Sequence, residues 1–295
     1  MLTIILFIIT ICLLLLSNKE DKFVNISKFK TNNYFFHGNF PNVIHKTFYE
    51  DTGNESQLSA GINDAIESWL INNPGYTIKL WDLNASRNFL KLNFPSDVLN
   101  CFDNLKPYAF KSDFFRYCVI YKCGGWYSDL KQECLKYNLL NDIKKVKRRE
   151  YLFRDNAHVK FEDKNVDYCI QNAFFGASKN SYLLFSMINK TILNTKNEFY
   201  GECVRCAAGS VCVFGKLFYE LGYTDDYFVG YFDIHLLPYF YYNNGKKIIL
   251  HKCLKCGGNS IKNGNNYTTL WKNKDIYFKK NDTMDRNKYV WPYIS

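Results

Sequence analysis

The sequence predicts an α/β domain with a largely parallel sheet, preceded by an apolar N-terminal segment and a polar linker. Strand-like and helix-like patterns alternate from Pro41 onward, which is typical of this fold class. The chain of 295 residues is 47% hydrophobic and 18% aromatic, which supports the core of one large domain or two small ones. The expected division is 1–17 for the apolar segment, 18–40 for the linker and 41–295 for the domain, within which no further boundary stands out.

The first strands and helices follow from the spacing of apolar residues. Residues 42–49 and 76–82 alternate as strands, whereas residues 56–72 repeat apolar side chains every three or four positions and predict a helix. A second helix is expected to begin at Asn84, a good N-cap residue. The same criteria predict further helices over 107–125, 180–193 and 209–222, and further strands over 126–130, 168–178 and 246–253.

Charged residues on the helix 107–125 and at two strand ends point to chemistry. Asp113 and Arg116 are three residues apart and therefore share one face of the helix. They form either a salt bridge at the edge of the core or a pair directed at the hydroxyl groups of a polar ligand. Asp82 and Asp129 fall at predicted strand ends, where sheets of this class bind ligands.

The chain beyond Asp129 carries alternating charges. If it stays extended, Asp129, Lys131 and Glu133 point to one side of the strand. A carboxylate there could bind a hard divalent cation that also holds a diphosphate, and a lysine could add positive charge to the same group. An exposed edge strand is the alternative interpretation.

The apolar segment Leu2–Leu16 contains no charged residue and is short for a full bilayer span. It fits either the core of a signal peptide or a short anchor, and the absence of a clean cleavage site favours an uncleaved anchor. A single-pass membrane protein with a lumenal domain, as in the endoplasmic reticulum or Golgi, is therefore expected. Glycosylation sequons agree with this location, at Asn25, Asn54, Asn84, Asn189, Asn266 and Asn281.

The formal net charge is +10, which suits nucleic acid, an anionic membrane or an anionic small substrate. No nucleic-acid motif accompanies the basic run Lys144–Glu150, so nucleic acid is not an expected partner.

Four of the eleven cysteines form two C-x-x-C pairs, Cys203/Cys206 and Cys253/Cys256. Together the pairs could form a structural zinc site with four thiolate ligands. An oxidising lumen would instead favour disulfides, and free thiols are the third interpretation.

Four segments of the chain carry recognisable motifs: PNVIHKTF (41–48), NPGYTIKLWD (73–82), KSDFFRYCVIYKCGGWYSD (111–129) and NYTTLWKNKDIY (266–277). The third segment is the longest and most specific. In this order the four segments resemble the glycosyltransferases with a DXD sugar-binding motif. This family includes relatives of the yeast initiation-specific α-1,6-mannosyltransferases and bacterial and viral enzymes of capsular or surface glycans.

The resemblance implies a GT-A type, Rossmann-like nucleotide-sugar-binding fold. It implies transfer of a hexose-type sugar from a nucleotide-diphosphate sugar to a glycan or glycoprotein acceptor, usually with retention. By position, Asp113 and Arg116 would hold hydroxyl groups of the donor sugar, and Asp129 would be the first Asp of the DXD motif. His45 would lie near the nucleotide, as a hydrogen-bonded core histidine rather than a catalytic base.

Lys131 stands where the family pattern usually has the second Asp, which leaves the requirement for Mn²⁺ or Mg²⁺ open. Asp129 and Lys131 are then the candidate catalytic residues that act on the leaving diphosphate. His251 or Glu133 could complete the metal shell beside Asp129, since Mn²⁺ accepts imidazole and carboxylate together.

Two alternatives from other functional classes remain. One is a catalytically inert GT-A-like protein that binds nucleotide or sugar, and the other is a zinc-stabilised interaction protein. Association with a virus or host membrane is the alternative to a lumenal location.

Overall fold

The computed structural model describes residues 40–49, 58–139, 150–155, 159–161, 164–166, 169–222, 227–233, 238–256 and 265–278. The predicted apolar segment 1–17 and nearly all of the linker 18–40 lie outside these residues. Among the described residues, no helix combines the length and the apolar character needed to cross a membrane. The membrane anchor and the domain boundaries therefore stay predictions.

The described elements alternate in the order that the sequence predicts for the first half of the chain. The helices are α1 (Ala60–Asn72), α2 (Leu83–Asn93), α3 (Ser96–Asn104), α4 (Tyr108–Cys123), α5 (Tyr182–Lys196), α6 (Val211–Glu220) and α7 (Tyr267–Lys272). The strands are β1 (Val43–Thr47), β2 (Thr77–Trp81), β3 (Gly125–Ser128), β4 (Glu133–Cys134), β5 (Glu150–Asp155), β6 (Val159–Phe161), β7 (Lys164–Val166), β8 (Cys169–Ile170), β9 (Phe174–Ala177), β10 (Phe228–Asp233), β11 (Tyr239–Tyr242) and β12 (Lys247–Leu250).

The main sheet has the strand order β2-β1-β3-β9-β5-β10-β11-β12-β4, with β8 paired to β5. Strand β1 is parallel to β2 and to β3, and β10 is parallel to β5. Strand β9 runs antiparallel between β3 and β5, and β10, β11, β12 and β4 form successive antiparallel pairs. The α/β class is confirmed, but the sheet is mixed rather than largely parallel. The physical reason is that β10, β11 and β12 are joined by short connections, which produce antiparallel neighbours.

Aromatic residues fill both sides of the sheet. Helices α4, α5 and α6 cover one side, where Tyr117 and Phe175 pack against Phe214. On the other side, Trp126 of β3 stacks on Phe174 of β9 with ring centroids 5.2 Å apart. Helix α4 is therefore held firmly against the strands whose ends carry the candidate residues.

Two glycines join α4 to β3. Gly124 has φ 70°, a left-handed conformation that ends the helix. Gly125 has φ 97°, and a Cβ atom there would lie 2.7 Å from both Cγ1 and the carbonyl oxygen of Val43. Only glycine meets both demands, so this pair sets the close approach of β3 to β1 and thereby the position of Asp129.

Helix α2 is capped two residues earlier than the sequence predicts. Asp82, rather than Asn84, is its N-cap, because an oxygen of Asp82 accepts a hydrogen bond of 2.7 Å from the backbone nitrogen of Ala85. The strand-end carboxylate at Asp82 is therefore engaged in starting a helix.

Candidate functional site

Arg116 joins two carboxylates that come from different elements. Its Nη2 atom lies 3.1 Å from Oδ1 of Asp113, one turn earlier on α4, and 3.3 Å from Oδ1 of Asp129, just beyond the end of β3. The structure thus brings together three residues that the sequence singled out. The pair Asp113–Arg116 is more than an isolated helix salt bridge, since it meets the strand end that carries the first residue of the motif.

The guanidinium group of Arg116 is held from several sides. Nη1 donates to the carbonyl oxygen of Asn172 at 2.8 Å, and Nη2 donates to Oγ of Ser112 at 3.0 Å. The group also lies over the ring of Tyr127, 4.3 Å from its centroid. With its side chain only 5% exposed, Arg116 is a fixed positive charge with a defined orientation.

The two carboxylates differ in how far they are open to solvent. The side chain of Asp113 is 17% exposed and that of Asp129 is 35% exposed. Burial raises the pKa of Asp113 to about 6, opposed by the charge of Arg116 and reinforced by that of Asp129. Ser210, at the start of α6, donates a hydrogen bond of 3.4 Å to the second oxygen of Asp113. Asp113 is thus poised to change charge just below neutral pH.

A chain of hydroxyl groups orients Asp129. The hydroxyl of Tyr127 donates to Oδ1 of Asp129 at 3.1 Å and lies 2.8 Å from Oγ1 of Thr47. Thr47 in turn lies 2.7 Å from Oγ of Ser112. Burial raises the pKa of Tyr127, so its hydroxyl keeps its proton and remains a donor. One oxygen of Asp129 is therefore oriented by the protein, while Oδ2 makes no hydrogen bond within the described part of the chain.

The chain turns immediately after Asp129, and the extended face predicted through Asp129, Lys131 and Glu133 is wrong. The backbone nitrogen of Gln132 donates to the carbonyl oxygen of Asp129 at 3.1 Å, which closes a tight turn over residues 129–132. Glu133 then begins β4 and pairs with Leu250 of β12. The backbone nitrogen of Cys253 donates a hydrogen bond of 2.9 Å to the carbonyl oxygen of Lys131. This bond holds the turn against the segment that follows β12.

A series of hydrogen bonds between buried polar side chains lies beneath this turn. Nζ of Lys46, on β1, donates to Oγ of Ser128 at 2.7 Å and to the carbonyl oxygen of Asp129 at 3.0 Å. Ser128 donates to Oε1 of Gln132 at 2.8 Å, and Nε2 of Gln132 lies 3.0 Å from Nδ1 of His251. Lys46 and Gln132 are both 0% exposed. This series of hydrogen bonds links the end of β3 to His251, the residue that the sequence analysis named as a candidate metal ligand.

Lys46 and Gln132 are functional candidates that the sequence patterns did not reveal. Burial lowers the pKa of Lys46 to about 7, opposed by the charge of Asp129. A lysine inside the short strand VIHKT, among residues that are otherwise uncharged, is the signal that could have marked it. Gln132 carried no comparable signal, because its role depends on the turn.

His251 lies at the end of β12, beside this series of hydrogen bonds. Burial lowers its pKa, opposed first by the charge of Asp129, which places His251 within electrostatic reach of that carboxylate. A neutral imidazole is the form that binds metal ions. When the Gln132 amide donates to Nδ1, the ring proton lies on Nε2; when the amide is reversed, Nε2 is free to bind. The orientation of Gln132 therefore controls whether His251 can serve as a ligand.

His45 lies in the core rather than at the open edge of the site. It is 1% exposed, and its Nδ1 accepts a hydrogen bond of 3.1 Å from Nε1 of Trp81. Burial, reinforced by the charge of Lys79, lowers the pKa of His45 to about 3, so the imidazole is neutral. The residues through which β1 reaches the carboxylate cluster are Lys46 and Thr47. A direct contact of His45 with a donor finds no support in its position.

A second ion pair lies near His251. Arg205 pairs with Asp155 at the end of β5, and Gln171 donates to the same carboxylate at 3.3 Å. Asp155 is 4% exposed and close enough to influence the pKa of His251. The segment 205–210 therefore contacts two acidic residues near the site. Arg205 pairs with Asp155, and Ser210 donates to Asp113.

The two C-x-x-C pairs do not come together. Cys253 and Cys256 are joined by a disulfide and pack against Ile62 and Ile66 of α1. Cys203 and Cys206 instead lie beside the helices on the other side of the sheet. A zinc site that combines these two pairs is therefore wrong, because they belong to different parts of the core.

Comparison with known proteins bears on the same region of the chain. Residues 59–150 match a family model described as "Glycosyltransferase sugar-binding region containing DXD motif". This segment includes α4, β3 and the turn after it, and so contains Asp113, Arg116 and Asp129.

Two curated proteins are similar over about a third of this chain. An uncharacterised glycosyltransferase of Acanthamoeba polyphaga mimivirus is 38% identical over 96 residues, which are 32% of this chain and 37% of the viral protein. Inositol phosphoceramide mannosyltransferase 2 of Schizosaccharomyces pombe is 33% identical over 94 residues, or 32% of this chain and 26% of the yeast protein. The match thus spans well under half the length of either relative.

Among solved structures, the PaToxG glycosyltransferase aligns with 61% of this chain and 69% of its own, with a TM-score of 0.42 and 15% identity.

The described residues form a mixed α/β domain whose strand ends present an arginine-bridged carboxylate pair. The resemblance to the glycosyltransferases with a DXD sugar-binding motif is confirmed, and residues 59–150 are the part of the chain that matches the model of that region.

Proposed function

We propose that this chain is a glycosyltransferase of GT-A type. It transfers a hexose-type sugar from a nucleotide-diphosphate sugar to a glycan or glycoprotein acceptor, with retention. The observation that carries the proposal is the bridge from Arg116 to Asp113 and Asp129, within the segment that matches the family. The yeast relative is named as a mannosyltransferase, and mannose is a hexose.

The three residues have distinct roles in this proposal. Asp113 accepts hydrogen bonds from hydroxyl groups of the donor sugar, and Arg116 holds the two carboxylates in place beside it. Asp129, the more exposed carboxylate, faces the diphosphate side of the donor. Because Arg116 is anchored by Asn172 and Ser112, this arrangement exists before the donor binds, which is what electrostatic stabilisation of a leaving group requires.

Two side chains at the site could supply ligands to a divalent cation, Mn²⁺ or Mg²⁺. The donor set would be the second oxygen of Asp129 together with Nε2 of His251, a mixture of carboxylate and imidazole that Mn²⁺ accepts; Nε2 becomes a ligand once the Gln132 amide reverses and the ring proton moves to Nδ1. Such a cation would stabilise the negative charge that develops on the leaving diphosphate. Lys131 would add a positive charge at the same end of the donor, and Lys46 holds the main chain of Asp129 in place.

A catalytically inert protein that binds nucleotide or sugar is the second candidate. One observation favours it: the position of the second motif Asp is Lys131, and it lies in a tight turn rather than on an extended face. Such a protein would bind a donor at Asp113 and Arg116 without cleaving it.

The variant Asp129→Asn tests the proposal. It keeps the size of the side chain and removes the charge, so we expect donor hydrolysis and transfer to fall at least 100-fold, roughly the effect of losing one stabilising group. Asp103→Asn is the matched control, because Asp103 forms an exposed ion pair with Arg87. Each variant is mixed with uridine and guanosine diphosphate sugars, with and without Mn²⁺, and binding and release of free sugar are measured.

The outcomes separate the two candidates. Release of free sugar by the native chain, lost in Asp129→Asn and kept in Asp103→Asn, supports the transferase. Binding of a donor without any release supports the inert protein. Near-native turnover in Asp129→Asn would sink the assignment of Asp129.

Location and partners are part of the proposal. We infer attachment to a membrane through residues 1–17, with the domain in a lumen of the Golgi or endoplasmic reticulum type, or on a virus or host membrane. The basic character of the chain, with a net charge of +10, suits an anionic nucleotide-sugar donor. Nucleic acid is not a proposed partner.

A further inference from the structure

Three cysteines converge in the segment that follows α5. The sulfur atoms of Cys203, Cys206 and Cys212 all lie within 4.8 Å of one another. Cys203 and Cys206 lie at the two ends of a single 3₁₀ turn, and Cys212 lies in the first turn of α6. Around a tetrahedral zinc ion, with zinc–sulfur bonds of about 2.3 Å, the sulfurs would be roughly 3.8 Å apart. The sulfurs of Cys203 and Cys206 lie 2.8 Å apart, so a bound zinc ion would separate this pair while all three thiols stay in one cluster.

A fourth thiol, that of Cys169, borders this group of three on the side of Cys212. Cys169, on β8, is 0% exposed, and its thiol lies within hydrogen-bonding range of Cys212. Cys212 is also in hydrogen-bonding range of Cys206. Cys212 thus connects Cys169 to Cys203 and Cys206, so the four thiols form one continuous cluster.

A positive charge lies close to the cluster. The positive charge of Arg205 acts on Cys212 and on Cys169. This charge would offset part of the negative charge that four thiolates place around a divalent ion.

We propose that Cys169, Cys203, Cys206 and Cys212 bind one structural zinc ion. Four cysteine ligands leave no open coordination position, so the ion is structural rather than catalytic. The site ties the segment 203–212 to the sheet at β8. That segment carries Arg205 and Ser210, which contact Asp155 and Asp113, so the zinc ion orders one wall of the carboxylate site.

Metal content tests the proposal without any measurement of activity. The full chain is purified in the presence of a reductant, and its zinc content is measured by inductively coupled plasma mass spectrometry. We expect one zinc ion per chain, and its loss in Cys206→Ser and Cys212→Ser. Cys118→Ser is the matched control, because Cys118 is equally buried but lies outside the cluster. Cys253→Ser controls for the other C-x-x-C pair.

Cobalt reports on the ligands themselves. Replacement of zinc by Co²⁺ should give the strong near-ultraviolet absorption of cobalt–thiolate bonds in the native chain and in Cys118→Ser. Cys203 is partly exposed, so its substitution is the least disturbing to the fold. Cys203→His should retain metal and Cys203→Ser should lose it, since imidazole is also a zinc ligand.

Three results would overturn the proposal. The first is a reduced, folded chain that takes up no zinc. The second is zinc content that Cys203→Ser, Cys206→Ser and Cys212→Ser leave unchanged. The third is a purified chain whose peptide masses show these cysteines joined as disulfides and which still binds no zinc after reduction.

Discussion

Replacing Lys46 by methionine should make the protein more stable and less active. Lys46 is fully buried, and its pKa is lowered from 10.5 to about 7. Each unit of that shift corresponds to about 1.4 kcal/mol, so the charged form costs the folded state roughly 5 kcal/mol. Methionine has a similar shape and no charge, and exchange of buried charges for apolar groups is often stabilising.

The gain is smaller than the whole cost because two hydrogen bonds are lost. Lys46 donates to Ser128 and to the carbonyl oxygen of Asp129, and each bond contributes about 1 kcal/mol. The expected net effect at pH 7 is a rise of about 2 kcal/mol in the free energy of unfolding. Donor turnover should fall, because the main chain of Asp129 loses its support.

The pH dependence makes this prediction specific to Lys46. Since the pKa is about 7 in the folded state and 10.5 in the unfolded state, the unfolded chain binds more protons between these values. The penalty is fully present below pH 7 and disappears as the pH rises towards 10.5. The advantage of Lys46→Met over the native chain should therefore shrink between about pH 7 and pH 9.

Urea denaturation at about pH 7 and pH 9 measures both effects. Lys91→Met, at an exposed position on α2, is the matched control and should change stability by less than about 0.5 kcal/mol. The reasoning is refuted if Lys46→Met is less stable than the native chain at neutral pH. It is also refuted if the stability difference does not change with pH.

Two further predictions concern Asp113 and Gly125. Because the pKa of Asp113 is about 6, donor binding should weaken as the pH falls from about 7 to 5, and titration of Asp113→Asn with donor should lack this dependence. An unchanged pH profile in Asp113→Asn would contradict the role of this carboxylate. Gly125→Ala should lower the free energy of unfolding by about 2 kcal/mol or more, because φ is 97° and the new Cβ meets Val43. In urea denaturation Gly245→Ala, at φ 79° with no atom within 4 Å, should cost only about 1 kcal/mol, and equal losses would rule out the steric explanation.

Local patterns are enough to predict much of the first half of the chain. Helix α1 follows from apolar residues at helical spacing, and its buried residues Ile62, Ala65, Ile66 and Trp69 keep that spacing. Asp113 and Arg116 lie on one face because three residues span nearly one helical turn, and they do form an ion pair. Both results depend only on neighbours within a few residues.

The turn after Asp129 does not follow from the sequence pattern, for a physical reason. Period-two alternation holds only while a strand continues, and the pattern does not show where β3 ends. Two hydrogen bonds from distant residues hold the chain where β3 ends. Lys46 of β1 donates to the carbonyl oxygen of Asp129, and the backbone nitrogen of Cys253 donates to the carbonyl oxygen of Lys131. Both partners are far away in the sequence.

The cysteines show the same division. C-x-x-C spacing marks Cys203 and Cys206 as a pair, and local geometry alone keeps such residues close together. Their further neighbours, Cys212 and Cys169, arrive from α6 and β8. Which thiols share a centre depends on how helices and strands pack, because contacts between distant segments are set by the filling of the whole core and not by the spacing of any one motif.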